Sequence, residues 1–187
     1  MNTLKTGLSI DSALAEISQP VLRYLERYVG DRTLAEDLQQ ETLLRIARGF
    51  DTFDGRSSLK TWSFSIANRV AADYFRQPER RRQIVELDEA NDAIDPDREI
   101  GERVIEDEMN QCVRQVIDSL PDSYRSALIL YDLEELSIEH TAEVCQCSIA
   151  NAKIRIHRAR LRLKEALQDQ CAFYRDGEGV YRCDRKA

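Results

Sequence analysis

A short helix, a tight turn and a long basic helix follow one another in the C-terminal half of the chain, and that order leaves few folds open. Ser137 starts the short helix, which runs to about Cys145. Gln146-Cys147-Ser148 makes the turn, and the spacing predicts the long helix from Ile149 to about Gln168. Ala152, Ile156, Ala159 and Leu163 recur at helical intervals and form one narrow apolar face. Its two alanines permit close approach to the preceding helices. Ile154, His157, Arg158 and Leu161 then point away from the core, with Lys153 flanking them. This is a helix-turn-helix pattern, whose second helix suits the major groove of DNA. An ordinary basic surface helix or a partner-binding helix has the same composition, and the tight turn ahead of it favours DNA.

The rest of the chain is also predicted to be helical. Val113, Val116, Ile117 and Leu120 make a helical stripe stopped by Pro121, and Asp122 or Ser123 starts the next helix, to about Leu133. Further upstream, Leu43, Ile46, Ala47 and Phe50 fall at i, i+3, i+4 and i+7, behind a start signal at Asp31-Arg32-Thr33. Asp51 to Ser58 reads as a loop. Leu59, Trp62, Ile66, Val70 and Tyr74 line one side of another helix, ended by Pro78 and Arg80-Arg81-Arg82. With only 7 glycines and 4 prolines in 187 residues, the composition favours helices over a β-sandwich. The expected fold is all-α. Two small helical domains, at residues 14–82 and 108–168, are joined by a linker at 83–107 and followed by a cysteine-containing tail at 169–187.

Charge is segregated along this framework. The net charge is −7, against a uniformly basic nucleic-acid binder. From Gln83 to Glu108, however, eleven acidic and two basic residues give a net of −9, and from Ile149 to Glu165 six basic and one acidic give +5. A local nucleic-acid surface beside an anionic connector fits this asymmetry, as do two solvated faces. No stretch approaches the ~18 apolar residues of a membrane span, and the segment Met1 to Leu14 lacks a basic run followed by an apolar run. The cytoplasm is therefore the expected location. No Walker loop, Gly-rich dinucleotide turn, metal-hydrolase pair or nucleophile elbow is present, so an enzyme is not expected.

On the exposed face of the long helix, Lys153 and Arg158 can reach guanine edges or phosphates. Ile154 suits a thymine methyl. Arg155, Arg160 and Arg162 lie towards the flanks, better placed for phosphates.

These motifs resemble extracytoplasmic-function sigma factors. Leu120-Pro121-Asp122-Ser123-Tyr124-Arg125, the short helix after Ser137, and Ala152 to Arg160 are similar to that family's C-terminal DNA-binding domain. Ala35-Glu36-Asp37-Leu38-Gln39-Gln40-Glu41-Thr42 resembles its polymerase-binding helix. Phe53-Asp54-Gly55, Leu59-Lys60-Thr61-Trp62, Ile66-Ala67 and the run to Asp73-Tyr74 resemble its promoter-melting segment. The resemblance covers about residues 14 to 168. It implies core RNA polymerase as a partner, through the β′ clamp helices and the β flap, together with promoter DNA and an anti-sigma factor.

It also implies roles. Asp37, Gln40, Glu41 and Leu44, spaced three and four apart, would meet the clamp helices, though a solvated acidic face has the same spacing. Lys153, Ile154, Arg155, His157, Arg158 and Arg160 would contact the −35 element. Arg56, Ser57, Ser58, Lys60, Asn68 and Arg69 would surround a flipped base of the −10 element, with Arg80 and Arg81 on nearby phosphates. Trp62 could stack on DNA, but its core-period position favours packing. The acidic linker would run through the polymerase cleft, unless it is a plain tether. The chain departs from the family at three places: Asn68-Arg69 replaces Arg-Asn, His140-Thr141-Ala142 replaces Glu-Ile-Ala, and Cys147 replaces the turn glycine. The first of these puts the −10 base preference in question.

Five cysteines in a cytoplasmic chain should be mostly thiols. Asp176-Gly177-Glu178-Gly179 predicts a turn between two short strands, a hairpin bringing Cys171 near Cys183. Folded back on Cys145 and Cys147, it would offer four thiolates for zinc or copper(I), or a redox sensor. Core or surface thiols are the plainer alternative, and no cofactor is required. Cys112 is expected to be structural.

Overall fold

In a computed structural model of the chain, residues 9–76, 113–175, 177 and 181–185 are described. Arg80 and Arg81, the acidic linker and Cys112 lie outside these residues, as do the side chains of Cys171 and Cys183.

Helix α1 spans Ile10–Val29, and the Ser9 hydroxyl caps it by accepting from the Ser12 N–H at 3.2 Å. The helix ends at Gly30, whose φ of 78° lets its N–H return to the Glu26 carbonyl. Helix α2 spans Arg32–Gly49, with Asp31 accepting from the Leu34 N–H at 2.8 Å, as the start signal implies. A 3₁₀ turn at Phe50–Thr52 and an irregular stretch lead to helix α3, Leu59–Arg76. Ser58 starts α3 by accepting from the Thr61 N–H at 3.0 Å.

The three helices pack on one another around Ile17, Val21, Tyr24, Leu25, Tyr28, Leu38, Ile46 and Phe64. Gln39 donates to the Ser18 carbonyl at 2.8 Å, and the Tyr24 and Phe64 rings stack at 5.1 Å. The buried face of α3 is wider than its predicted stripe. Phe64, Ala67 and Ala71 are fully covered, while Leu59, Trp62, Ile66 and Tyr74 pack partly buried at its margin. Trp62 lies 5.0 Å from the Phe53 ring, in the packing role expected for it.

The C-terminal part begins with helical residues 113–119, here α4. Helix α5 covers Asp122–Leu128 and continues as a π-type turn over Ile129–Leu133. Helix α6 covers Ile138–Val144, capped by the Ser137 hydroxyl accepting from the His140 N–H at 3.2 Å. Helix α7 runs Ile149–Gln170, and Ala152, Ile156 and Ala159 are buried as their spacing requires, against α5 and α6. At the turn, Gln146 takes a positive φ of 50°. The glycine-like conformation therefore falls one residue before Cys147.

Strands β1, Cys171–Arg175, and β2, Tyr181–Arg185, form the predicted antiparallel hairpin. Its register pairs Cys171 with Arg185 and Cys183 with Phe173, so the two cysteines are two register positions apart and not directly opposed. Apart from this hairpin the described elements are helical, and the fold class is all-α. Among the described residues no helix is long and apolar enough to cross a membrane.

The two helical parts lie against each other. Helix α3 packs on α6, α1 meets the π-type turn, and one apolar cluster runs from Ile17 to Ala159.

Candidate nucleic-acid interface

Helix α7 presents its outward face as the sequence requires. Lys153, Ile154, His157, Arg158 and Leu161 are exposed, and Ile154 keeps 49% of its surface open. An apolar side chain in water beside cations is a poor use of surface unless something covers it, and a thymine methyl among phosphates would. Arg158 donates to the Tyr124 hydroxyl at 3.3 Å, and this hydrogen bond is the main reason the Tyr124 hydroxyl is more acidic than usual. Arg162 lies over the Tyr124 ring at 5.1 Å, so Tyr124 sits between two cations of the recognition helix.

Arg160 differs from its neighbours. It is paired with Asp132 on the π-type turn, Nε to Oδ2 at 3.0 Å, and lies over the Tyr131 ring at 5.5 Å. A phosphate there would compete with this pair. Arg155 is half-buried.

On α2, Asp37, Gln40 and Leu44 are exposed along one side, Leu44 at 52%, with Glu41 half-buried beside them. Glu41 accepts from Arg45 Nε at 2.8 Å. An apolar side chain flanked by acids on one helix suits a basic helical partner.

The residues expected around the −10 base fall into two groups. Arg56 and Ser58 are exposed and Ser57 half-buried in the loop before α3; Arg56 pairs with Asp54 at 2.6 Å, and Ser58 caps the helix. Arg69 is exposed. Lys60 and Asn68, by contrast, face the C-terminal part. Lys60 Nζ donates to the Glu134 carbonyl at 3.0 Å. Asn68 accepts from the Tyr24 hydroxyl at 2.9 Å and the Ser126 hydroxyl at 2.8 Å, and donates to the Val144 carbonyl at 3.4 Å. The partners that hold these two, Ser126 and Glu134, have no signature in the sequence. Their role depends on which surface meets α3.

Cys145 and Cys147 are half-buried thiols. Burial, helped by the charge of Cys147, pushes the Cys145 thiol up to about 12. Metal ligation would have to displace this proton. Among the described residues no three His, Cys, Asp or Glu side chains gather as a metal would require.

The chain is similar to known proteins. Family models described as Sigma-70 region 2 and Sigma-70, region 4 match residues 15–82 and 110–163. The chain is 32% identical over 168 residues to the RNA polymerase sigma-H factor of Pseudomonas aeruginosa, covering 86% of each protein. It is 34% identical over 154 residues to the ECF RNA polymerase sigma factor SigC of Mycobacterium tuberculosis, covering 82% of this chain and 80% of that one. It is 30% identical to the RNA polymerase sigma factor YlaC of Bacillus subtilis, over 84% of this chain and 91% of that protein. Among solved structures it is similar to the sigma factor RpoE of Bartonella quintana, crystallised with the anti-sigma factor NepR. The TM-score is 0.65 at 27% identity, over 84% of this chain and 96% of that one. The chain belongs to the sigma-70 family of RNA polymerase sigma factors, in its extracytoplasmic-function group.

Proposed function

We propose that this sigma factor binds core RNA polymerase through the Asp37–Leu44 side of α2 and directs it to promoters, with α7 on the −35 element and the α3 region on the −10 element. It has no catalytic role of its own and acts in the cytoplasm, beside the polymerase. The observation that carries the reading is the outward face of α7. Lys153, Ile154, His157 and Arg158 stand exposed after the Gln146 turn, with Ala152, Ile156 and Ala159 anchoring the opposite side. Lys153 and Arg158 would meet base edges or phosphates, with Arg155 and the Asp132-paired Arg160 on flanking phosphates. Arg56 and Arg69 are accessible cations for the melted strand. An anti-sigma factor is the expected regulator.

A stand-alone DNA-binding regulator would also use α7, but it would leave the exposed Asp37, Gln40 and Leu44 without a partner. Run-off transcription with core polymerase separates the two. The sigma-factor reading expects promoter-specific transcripts only when the protein is added. Tight duplex binding without polymerase, and transcripts indifferent to the protein, would support the other reading.

A further inference from the structure

Two arginines of α7 are held from outside the helix, by different kinds of group. At ~3.6 residues per turn, Arg155, Arg158 and Arg162 share one flank of α7 and Arg160 lies on the other. Arg160 is paired with the Asp132 carboxylate. Arg158 donates instead to a neutral acceptor, the Tyr124 hydroxyl, at 3.3 Å. The Arg162 guanidinium lies 5.1 Å over the same ring. The Arg158 hydrogen bond, joined by the charges of Arg158, Arg162 and Arg155, makes this hydroxyl more acidic than usual, so the whole cationic flank faces it.

Tyr124 is itself fixed in place. It sits in the first turn of α5, its N–H donates to the Pro121 carbonyl at 2.8 Å, and its ring packs half-buried against the apolar cluster. Helix α5 in turn packs on α7. Arg158 is by contrast long and exposed. A free arginine of that kind spreads over many rotamers, and immobilising it on a ligand costs that freedom. A carboxylate in place of the hydroxyl would hold Arg158 too, but would cancel its charge and repel phosphates. A phenylalanine would pack equally well and leave the guanidinium unheld. Tyrosine sets the direction of the cation and leaves its charge intact.

We propose that Tyr124 is a positioning residue for recognition of the −35 element: its hydroxyl holds Arg158 in a DNA-facing direction before contact is made. The proposal rests on the sigma-factor reading above, with Arg158 as a base-reading cation. Tyr124 acts through Arg158 and touches no base itself. Ordering the guanidinium in advance raises affinity without adding a contact. It also sharpens selection, because a guanine edge is read bidentately and only a correctly directed guanidinium makes both hydrogen bonds. Arg160 is the contrast on the opposite flank, where DNA must compete with Asp132 for the cation.

Tyr124→Phe tests this in the full-length protein, because it keeps the ring, its packing and the Arg162 contact and removes only the hydroxyl. It is compared with the wild type, and Tyr124→Phe/Arg158→Ala with Arg158→Ala. The readout is promoter-complex formation by holoenzyme on a promoter that the protein activates, and on versions with each −35 base pair changed in turn. Low salt keeps the weakened complexes measurable. Tyr124→Phe should weaken the complex about three- to tenfold, with an unchanged melting temperature and poorer discrimination at the base pair that Arg158 reads. In the Arg158→Ala background it should have no further effect. Wild-type affinity in Tyr124→Phe overturns the proposal. So does a loss that is uniform across the −35 variants, or one that persists in the Arg158→Ala background, which would make the hydroxyl a direct DNA contact. Failure of wild-type holoenzyme to select any promoter would instead overturn the sigma-factor reading.

Discussion

The Ser126 hydroxyl on α5 donates to the Asn68 side-chain oxygen on α3 at 2.8 Å, across 58 residues of sequence. The same oxygen accepts from Tyr24 on α1, so one amide ties three helices. Asn68 thus lies inside the junction between the two helical parts, while its neighbour Arg69 is exposed outside it.

Arg158→Ala should weaken upstream promoter binding by holoenzyme by about 1–3 kcal/mol, with the loss concentrated at one base position. Lys153→Ala, if it contacts phosphate, should weaken all sequences alike and lower the salt dependence. Quantitative DNA binding at several salt concentrations distinguishes them. An Arg158→Ala protein with wild-type promoter affinity would remove Arg158 from the interface.

Changing Asp37 and Glu41 to alanine should impair core polymerase binding while leaving the fold intact. Asp37 is exposed, and Glu41 pairs with its neighbour Arg45. Such exposed pairs contribute under ~1 kcal/mol, so the melting temperature should move little. Fluorescence titration with core polymerase measures the first effect, and thermal circular dichroism the second. Undiminished polymerase affinity would contradict the α2 assignment.

Much of the fold was legible because its signals are local. The face of α7 needs only Ala152, Ile156 and Ala159 at helical spacing, and the Asp31 and Ser137 caps need only a side chain beside its own helix. Helix α1 is hard to read from sequence, although Ile17, Val21, Tyr24, Leu25 and Tyr28 supply its stripe, because Pro20 falls inside it. The buried face of α3 is wider than its sequence stripe because α3 packs against α1, α2 and α6, so Phe64, Ala67 and Ala71 are covered from several sides. The candidate surfaces on α2 and α7 were legible as polar faces opposite apolar ones. The junction was not. Arg27 and Glu134 are 107 residues apart, and either would pass for an ordinary surface charge.

Gly30→Ala should destabilise the protein by about 1–2 kcal/mol, the usual cost of a left-handed conformation for a residue with a Cβ. Its φ is 78°, and the new methyl would also displace the Arg114 guanidinium. Urea denaturation measures the loss. An unchanged midpoint would show that the α1 cap is not held in this conformation.

Stability should fall as pH rises above about 9. Burial pushes both the Cys145 thiol and the Tyr28 hydroxyl up to about 12, while the unfolded chain ionises them near 9 and 10. Between those values the unfolded state loses protons that the folded state keeps, so the contribution is intact below pH 9 and lost on the way to 12. Cys145→Ala should flatten the early part of that decline. At neutral pH Cys145 should react slowly with thiol reagents, and rapid modification in the folded protein would contradict its burial.

Hydroxyl-radical footprinting of holoenzyme on a promoter that this protein activates reads both DNA contacts at once. Two protected blocks about 25 base pairs apart (~85 Å) are expected, with the upstream block selectively weakened by Arg158→Ala and Lys153→Ala. A single protected block, or an upstream block indifferent to both substitutions, would contradict it.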